Sequence, residues 1–169
     1  MDIRHATDDD MPALAAIYND AVRHTTAIWN DAEVDADNRR QWLALRRAAG
    51  YPVLVADDGG RGVLGYASFG DFRAFDGYRH TVEHSIYVRA DARRGGVAGQ
   101  LMAELIAQAR ARRKHVMVGA IESGNAASIA LHRRLGFEEV GRMKQVGTKF
   151  GRWLDLTWMQ LLLDDAPPR

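Results

Sequence analysis

The sequence predicts an α/β fold built on a mixed sheet of about seven strands with about four helices. Three observations carry this. Apolar residues recur with a period of two in some stretches and of about 3.6 in others. Glycine, proline and aspartate clusters separate the two kinds of stretch. The stretches follow one another as strand, two helices, three strands, helix, strand, helix, two strands, an order that suits a sheet with helices packed against it.

Residues 2–6 read as a short extended start. Asp8, Asp9 and Asp10 supply capping carboxylates for a first helix in which Leu14, Ile17, Tyr18, Ala21 and Val22 recur at helical spacing. Asp35 caps a second helix with Trp42, Leu43 and Leu45 on its apolar side, ending near Gly50. Residues 51–56 and 63–68 are β-type runs joined by a glycine- and aspartate-rich segment, a hairpin signal. Residues 71–79 form a loop carrying Phe72, Arg73, Phe75, Tyr78 and Arg79, more aromatic and basic than a connector requires. In the strand at 81–88, Val82, His84, Ile86 and Val88 face one way and Thr81, Glu83, Ser85 and Tyr87 the other. Gly95, Gly96 and Gly99 open a helix with Val97, Leu101, Leu105 and Ala109 four apart, closing at 112–114. A strand at 115–121, a helix at 125–135 stopped by Gly136, and strands at 138–146 and 153–163 about a turn at 147–151 complete the chain.

At 169 residues the chain fits one domain, expected over 1–163, followed by a flexible tail at 164–169. The absence of cysteine rules out a disulfide framework, a thiolate metal site, a redox thiol and a cysteinyl nucleophile. With 23 basic and 22 acidic side chains, the net charge of +1 argues against a dedicated nucleic-acid or membrane-surface binder. The longest apolar run falls far short of the ~20 residues of a membrane helix, so a cytoplasmic protein is expected. His80 and His84, four apart on extended chain, would lie roughly 13 Å apart and could not share an ion, so no metal is expected.

The most informative stretch is 88–102, where a strand runs through a glycine-rich turn into an amphipathic helix. Such a turn can aim bare amides and the positive end of the helix dipole at a diphosphate, with Arg93 and Arg94 adding charge. It can equally be a tight turn and nothing more. A Walker loop would need Gly-Lys-Ser/Thr at its end, and a Rossmann turn a G-x-G-x-x-G spacing in the first βαβ unit. Neither is present. The spacing that is present is R-x-x-G-x-A at Arg93, Gly96 and Ala98.

That spacing resembles the pyrophosphate loop of the GNAT superfamily of acyl-CoA N-acyltransferases. A second superfamily pattern, N-x-x-A/S-x-x-L-Y-x-x-x-G-F, is matched by Asn125, Ser128, Leu131, Gly136 and Phe137, with His132 in the place of the tyrosine. Residues 17–22 (IYNDAV), 81–88 (TVEHSIYV), 122–128 (ESGNAAS) and 149–160 (KFGRWLDLTWMQ) are most similar to the phosphinothricin and methionine sulfoximine acetyltransferases. The resemblance implies a mostly antiparallel GNAT-like sheet, acetyl-CoA as cosubstrate, and a homodimer, for which Trp153, Leu154, Trp158 and Met159 offer apolar surface. It implies that Ile86, Tyr87 and Val88 pair with the pantetheine arm and that Arg94, Gly95, Gly96, Val97, Ala98 and Gly99 cradle the diphosphate. Asn125 would contact the cofactor near its thioester arm. Arg73, Ala74 and Phe75, with Glu83, His84 and Ser85, would line an amino-acid pocket.

The resemblance also implies a reaction: acetylation of the α-amino group of a small amino-acid analogue such as methionine sulfoximine, methionine sulfone or phosphinothricin. Glu83 would be the base, directly or through a water, and His132 would stand where the family's tyrosine protonates the leaving thiolate. Without a cysteine, direct transfer in a ternary complex is expected. Arg73 and Arg79 are candidates for the substrate carboxylate, because guanidinium binds carboxylates bidentately. Two other readings remain open on the sequence: acetylation of another small amine or a protein N-terminus, and a CoA-binding module without turnover.

Overall fold

The computed structural model of the chain describes residues 1–167. Strands β1 (Asp2–His5), β2 (Val53–Asp57), β3 (Val63–Asp71), β4 (Thr81–Val88), β5 (Val116–Glu122), β6 (Glu138–Lys149) and β7 (Arg152–Leu162) occur in the expected order with helices α1 (Met11–His24), α2 (Ala36–Ala48), α3 (Val97–Ala111) and α4 (Ala126–Arg134). The strands make one seven-stranded sheet of order β1-β2-β3-β4-β5-β7-β6. It is mixed: β1–β2, β2–β3, β5–β7 and β6–β7 pair antiparallel, and β4–β5 pair parallel. Of the expected tail, residues 164–167 carry neither helix nor strand, and residues 168 and 169 lie outside the described residues. Among the described residues no helix is long and apolar enough to cross a membrane.

The sequence suggests one domain over 1–163; the chain gathers into two compact units, Met1–Phe69 with Ser85–Leu105, and Gly70–His84 with Ile106–Arg169. In the first unit, α1 and α2 bury Leu14, Ile17 and Leu43 in one cluster with Val55 and Tyr66. Each such side chain contributes about 1.5–3 kcal/mol when fully removed from water. Leu43 is buried, whereas Leu45, expected beside it, is 71% exposed; residues two positions apart on a helix are about 200° apart around the axis and cannot share a face. Asp35 caps α2 by accepting from the Asn38 amide at 2.8 Å. Asn19 and Val34 exchange side-chain and backbone hydrogen bonds at 2.8 and 2.9 Å, pinning the segment before α2 to α1.

Asp8, Asp9 and Asp10 do not cap α1 as expected. They form a 3₁₀ turn, and Asp10 makes no side-chain cap bond to α1. Its carboxylate instead accepts from the Thr7 amide at 2.7 Å and takes both Nη groups of Arg4 at 2.8 Å. Arg4 also donates to Asp57 at 2.7 Å, so one guanidinium joins β1, the turn and β2. This bidentate, partly buried pairing holds the Asp10 carboxyl below its ordinary range.

In the second unit, β4 and β5 pair over Thr81–Glu83 and Val116–Val118. The turn expected at 147–151 is shorter. Strand β6 continues through Lys149, and only Phe150 and Gly151 turn, with φ of 52° and 69°. Two consecutive positive φ values are what a two-residue hairpin turn requires. The extra strand length is absorbed by a bulge between Met143 and Gly147, where Gln145 has φ 54° and gives its amide to Asp155 at 2.8 Å. Of the four residues expected to offer a dimer surface, Leu154 and Met159 are buried in the protein's own core. Trp158 packs edge-on against Phe72 at 5.8 Å, leaving Trp153, 67% exposed, as the one of the four that projects.

Candidate active site

In the first unit the turn from Arg93 into α3 is exposed over residues 93–96. Arg94 has φ 65° and Gly96 φ 78°. Left-handed backbone at a non-glycine residue is strained, and alternation of this kind turns successive amides to one side. Gln100 donates its amide to the Gly96 carbonyl at 3.2 Å; the amides ahead of it in the first turn of a helix have no intrahelical acceptor. Nothing lies within 4 Å of where a Cβ on Gly96 or Gly99 would be, so the backbone is open to a ligand. Val97 is buried and anchors the helix start, and Ala98 is half-buried. Arg93 is restrained from below by the Val88 carbonyl at 3.4 Å and by Asp20 at 3.7 Å. These groups can hold an anion such as a diphosphate.

The same unit holds Ser85, Ile86, Tyr87 and Val88, all half-buried. Tyr87 stacks at a tilt on Tyr66 at 5.4 Å and meets Tyr18 edge-on at 6.4 Å. These tyrosines fix the strand's direction. Of the three, Tyr66 had no signal in the sequence beyond its aromatic character. Trp29 gives its indole N–H to the Thr26 carbonyl at 2.8 Å.

In the second unit Glu83 is half-buried on β4. Burial raises its carboxyl above the ordinary range, and the charge of Arg73 acts in the opposite direction. A carboxylate so placed is a better proton acceptor than one in water. Arg73 lies over the Phe72 ring at 4.2 Å and donates to the Phe72 carbonyl at 2.9 Å, leaving further donors on its fork. Phe72 is held by Tyr78 at 5.6 Å as well as by Trp158. Ala74 and Phe75 are exposed. Arg79, the rival candidate for a carboxylate, folds back on the Asp76 carbonyl at 2.6 Å, and Lys114 holds its own carbonyl at 2.7 Å.

Asn125 is the N-cap of α4: its side-chain oxygen accepts from the Ser128 amide at 3.1 Å, and its side-chain NH2 can donate to a further partner. His132, on the same helix, is 1% exposed. Its Nδ1 lies 2.7 Å from the Ser128 carbonyl and its Nε2 lies 3.0 Å from Nε2 of His84. Burial depresses its affinity for a proton, while the Ser128 carbonyl partly restores it. This differs from the acid expected at that position. Both nitrogens are engaged, and the cationic form is disfavoured. His84 also departs from expectation, since its ring is buried against His132 rather than lining a pocket, leaving only its backbone for such a role. The period-two pattern of β4, which puts His84 with Val82, was the available signal. Among the described residues no group of three or more His, Asp or Glu side chains could hold a metal ion.

Residues 14–137 match the acetyltransferase (GNAT) family. The L-methionine sulfoximine/L-methionine sulfone acetyltransferase of Pseudomonas paraeruginosa is 63% identical over 162 residues, covering 96% of this chain and 94% of its own length. The crystal structure of a ribosomal-protein-alanine N-acetyltransferase from Brucella melitensis superimposes with a TM-score of 0.94 at 60% identity, over 96% of this chain and 99% of that one. The Salmonella typhimurium protein yncA, solved with its cofactor acetyl-CoA, gives a TM-score of 0.96 at 56% identity, over 99% of this chain and 96% of that one.

Proposed function

This chain belongs to the acetyltransferase (GNAT) family, and on that premise we propose that it acetylates the α-amino group of small amino-acid analogues of the methionine sulfoximine, methionine sulfone and phosphinothricin type. Acetyl-CoA, the cosubstrate in this reading, supplies the acetyl thioester. The turn formed by Arg94, Gly95, Gly96, Val97, Ala98 and Gly99 takes its diphosphate, the Ile86–Val88 backbone takes its pantetheine amides, and Asn125 contacts the arm near the thioester. Arg73 takes the substrate carboxylate. The names of the relatives support the substrate class, and the acetyl-CoA in the Salmonella structure supports the donor.

The observation that carries most weight for the chemistry is the half-buried Glu83 with its raised affinity for a proton. Even at the pKa near 8 of a peptide α-amino group, only about one-tenth is neutral at pH 7, a cost of roughly 1.4 kcal/mol. Glu83 accepts the proton as the new C–N bond forms and the C–S bond breaks, directly or through one water. Such assistance contributes about 10²–10⁴ in rate. The thiolate takes its proton from solvent, because His132 is neutral and committed on both sides. With no cysteine in the chain, transfer is direct, in a ternary complex. The same reading places the reaction in the cytoplasm.

A second acceptor, the N-terminal amine of a protein, is favoured by the name of the Brucella relative. Arg73 discriminates the two, since a free carboxylate sits beside the amine only in an amino acid. An acetyl-CoA assay against a panel of amines, read by mass spectrometry, tests the proposal. Acetylated sulfoximine, sulfone or phosphinothricin is the expected product. Acetylated peptide alone would select the second acceptor, and tight CoA binding without any product would make the protein a binding module.

A homodimer is part of the same reading. Val140, Met143, Val146, Phe150 and Trp153 are exposed along β6 and its hairpin with β7, at the end of the sheet order. An exposed apolar edge of this kind is a pairing surface.

A further inference from the structure

The proposed chemistry leaves the His84 ring without a task, although it occupies one of the most carefully fitted places in the second unit. Its plane is inclined by 16° to that of His132, with centroids 4.9 Å apart. The Ser128 carbonyl can only accept, so the His132 Nδ1 beside it carries a proton. A neutral His132 then presents a lone pair on Nε2, and the Nε2 of His84, 3.0 Å away, must be the donor. That assignment leaves Nδ1 of His84 unprotonated, and this is the atom buried with no hydrogen-bond partner among the described residues. Every proton in the chain of contacts is thereby placed.

An independent feature points to the same bond. Gly119 is buried on β5, and a Cβ there would lie 2.7 Å from Nε2 of His84 and 3.5 Å from Nε2 of His132. Only glycine leaves room for the two rings to meet. Phe137 closes the slot, edge-on to both rings at 5.7 and 5.0 Å.

We infer that His84 is a positioning residue: by donating to Nε2 of His132 it holds that ring as the neutral Nδ1–H tautomer and withholds it from acid–base exchange during the reaction. The inference rests on the proposed acetyl transfer, for which the bond also ties α4, with Asn125 at its cap, to β4, with Glu83. Gly119 from β5, Ser128 from α4 and Phe137 beyond it face the pair, and none of them titrates. Burial, with the partner ring adding to it, pushes His84 down to about 3.

Long-range ¹H–¹⁵N correlation spectra of the full chain read the tautomers directly. The expected result is two neutral rings across about pH 5.5 to 8, His132 as Nδ1–H and His84 as Nε2–H. Gly119→Ala leaves both histidines in place but crowds His84 away. His132 should then become a tautomer mixture titrating nearer the ordinary imidazole value of ~6.5, and the pH profile of kcat should gain an ionisation in that range. His84→Gln, which keeps an N–H at similar reach, should preserve the His132 tautomer. A wild-type His132 protonated on Nε2 at pH 7 would overturn the inference. So would a Gly119→Ala protein with unchanged tautomers and pH profile. Failure to acetylate any amine would remove the enzyme reading while leaving the spectra to decide this one.

Discussion

A Cβ built on Gly65 of β3 would lie 2.9 Å from the backbone carbonyl of Tyr87 and 3.3 Å from Cα of Val88. Neither atom belongs to a flexible side-chain end, so nothing there can give way cheaply. The closeness has a functional consequence, because Ile86, Tyr87 and Val88 are the residues proposed to pair with the pantetheine arm. Gly65→Val should displace this stretch, costing about 1–3 kcal/mol of stability and raising KM for acetyl-CoA more than KM for the amine. Steady-state kinetics alongside urea unfolding would measure both. Equal effects on the two KM values would show that Gly65 matters for stability alone.

Glu83 and Arg73 are predicted to be coupled. Glu83→Gln should reduce kcat about 10²–10⁴-fold. In the unaltered enzyme kcat/KM should fall with acid through an ionisation above the ordinary carboxylate range, because burial raises Glu83. Arg73 lowers that value, so Arg73→Ala should move the acid limb upward as well as raise KM for the amino acid. A pH series of the variant checks this, and an unmoved limb would separate the two residues.

Acid should weaken the fold in two distinct windows. His84 has a folded value of about 3 against 6.5 in the unfolded chain, so the unfolded state takes up protons first. Its contribution is full above pH 6.5 and is lost as pH falls toward 3, roughly 3 kcal/mol by pH 4 at about 1.4 kcal/mol per unit. Asp10, lowered from 3.8 by Arg4, contributes above 3.8 and is lost only below it. Urea unfolding between pH 7 and 4.5 should therefore show a decline that His84→Leu reduces, the remainder belonging to the similarly lowered His132, and that Arg4→Ala leaves in place.

The hairpin surface predicts the assembly state. Phe150 and Trp153 are exposed near the β6–β7 turn and lie outside the proposed catalytic residues. Replacing both by serine should convert a dimer to a monomer in light scattering. A wild-type chain that scatters as a monomer at micromolar concentration would remove the homodimer from the account.

Much of the fold was legible because the periodicities are local. The four-residue spacing of Val97, Leu101, Leu105 and Ala109 on α3 corresponds to four buried residues, and Asp35 caps α2 as its position suggests. What was not legible depended on residues far apart in sequence. Asp10 is drawn from α1 by Arg4 and Thr7, and the length of β6 depends on a bulge satisfied by Asp155. At the site, the glycines and arginines mark the turn at 93–99, while Glu83 is singled out only through the resemblance to the family. The His84–His132 bond could not, since it requires a glycine on a third element to make room for both rings.

The central claim is that the backbone amides from Arg94 to Gly99 hold the diphosphate of acetyl-CoA. A crystal structure of the protein soaked with coenzyme A tests it most directly. The account predicts diphosphate oxygens within hydrogen-bond distance of those amides. Coenzyme A bound elsewhere, with the turn unoccupied or its amides directed inward, would contradict it.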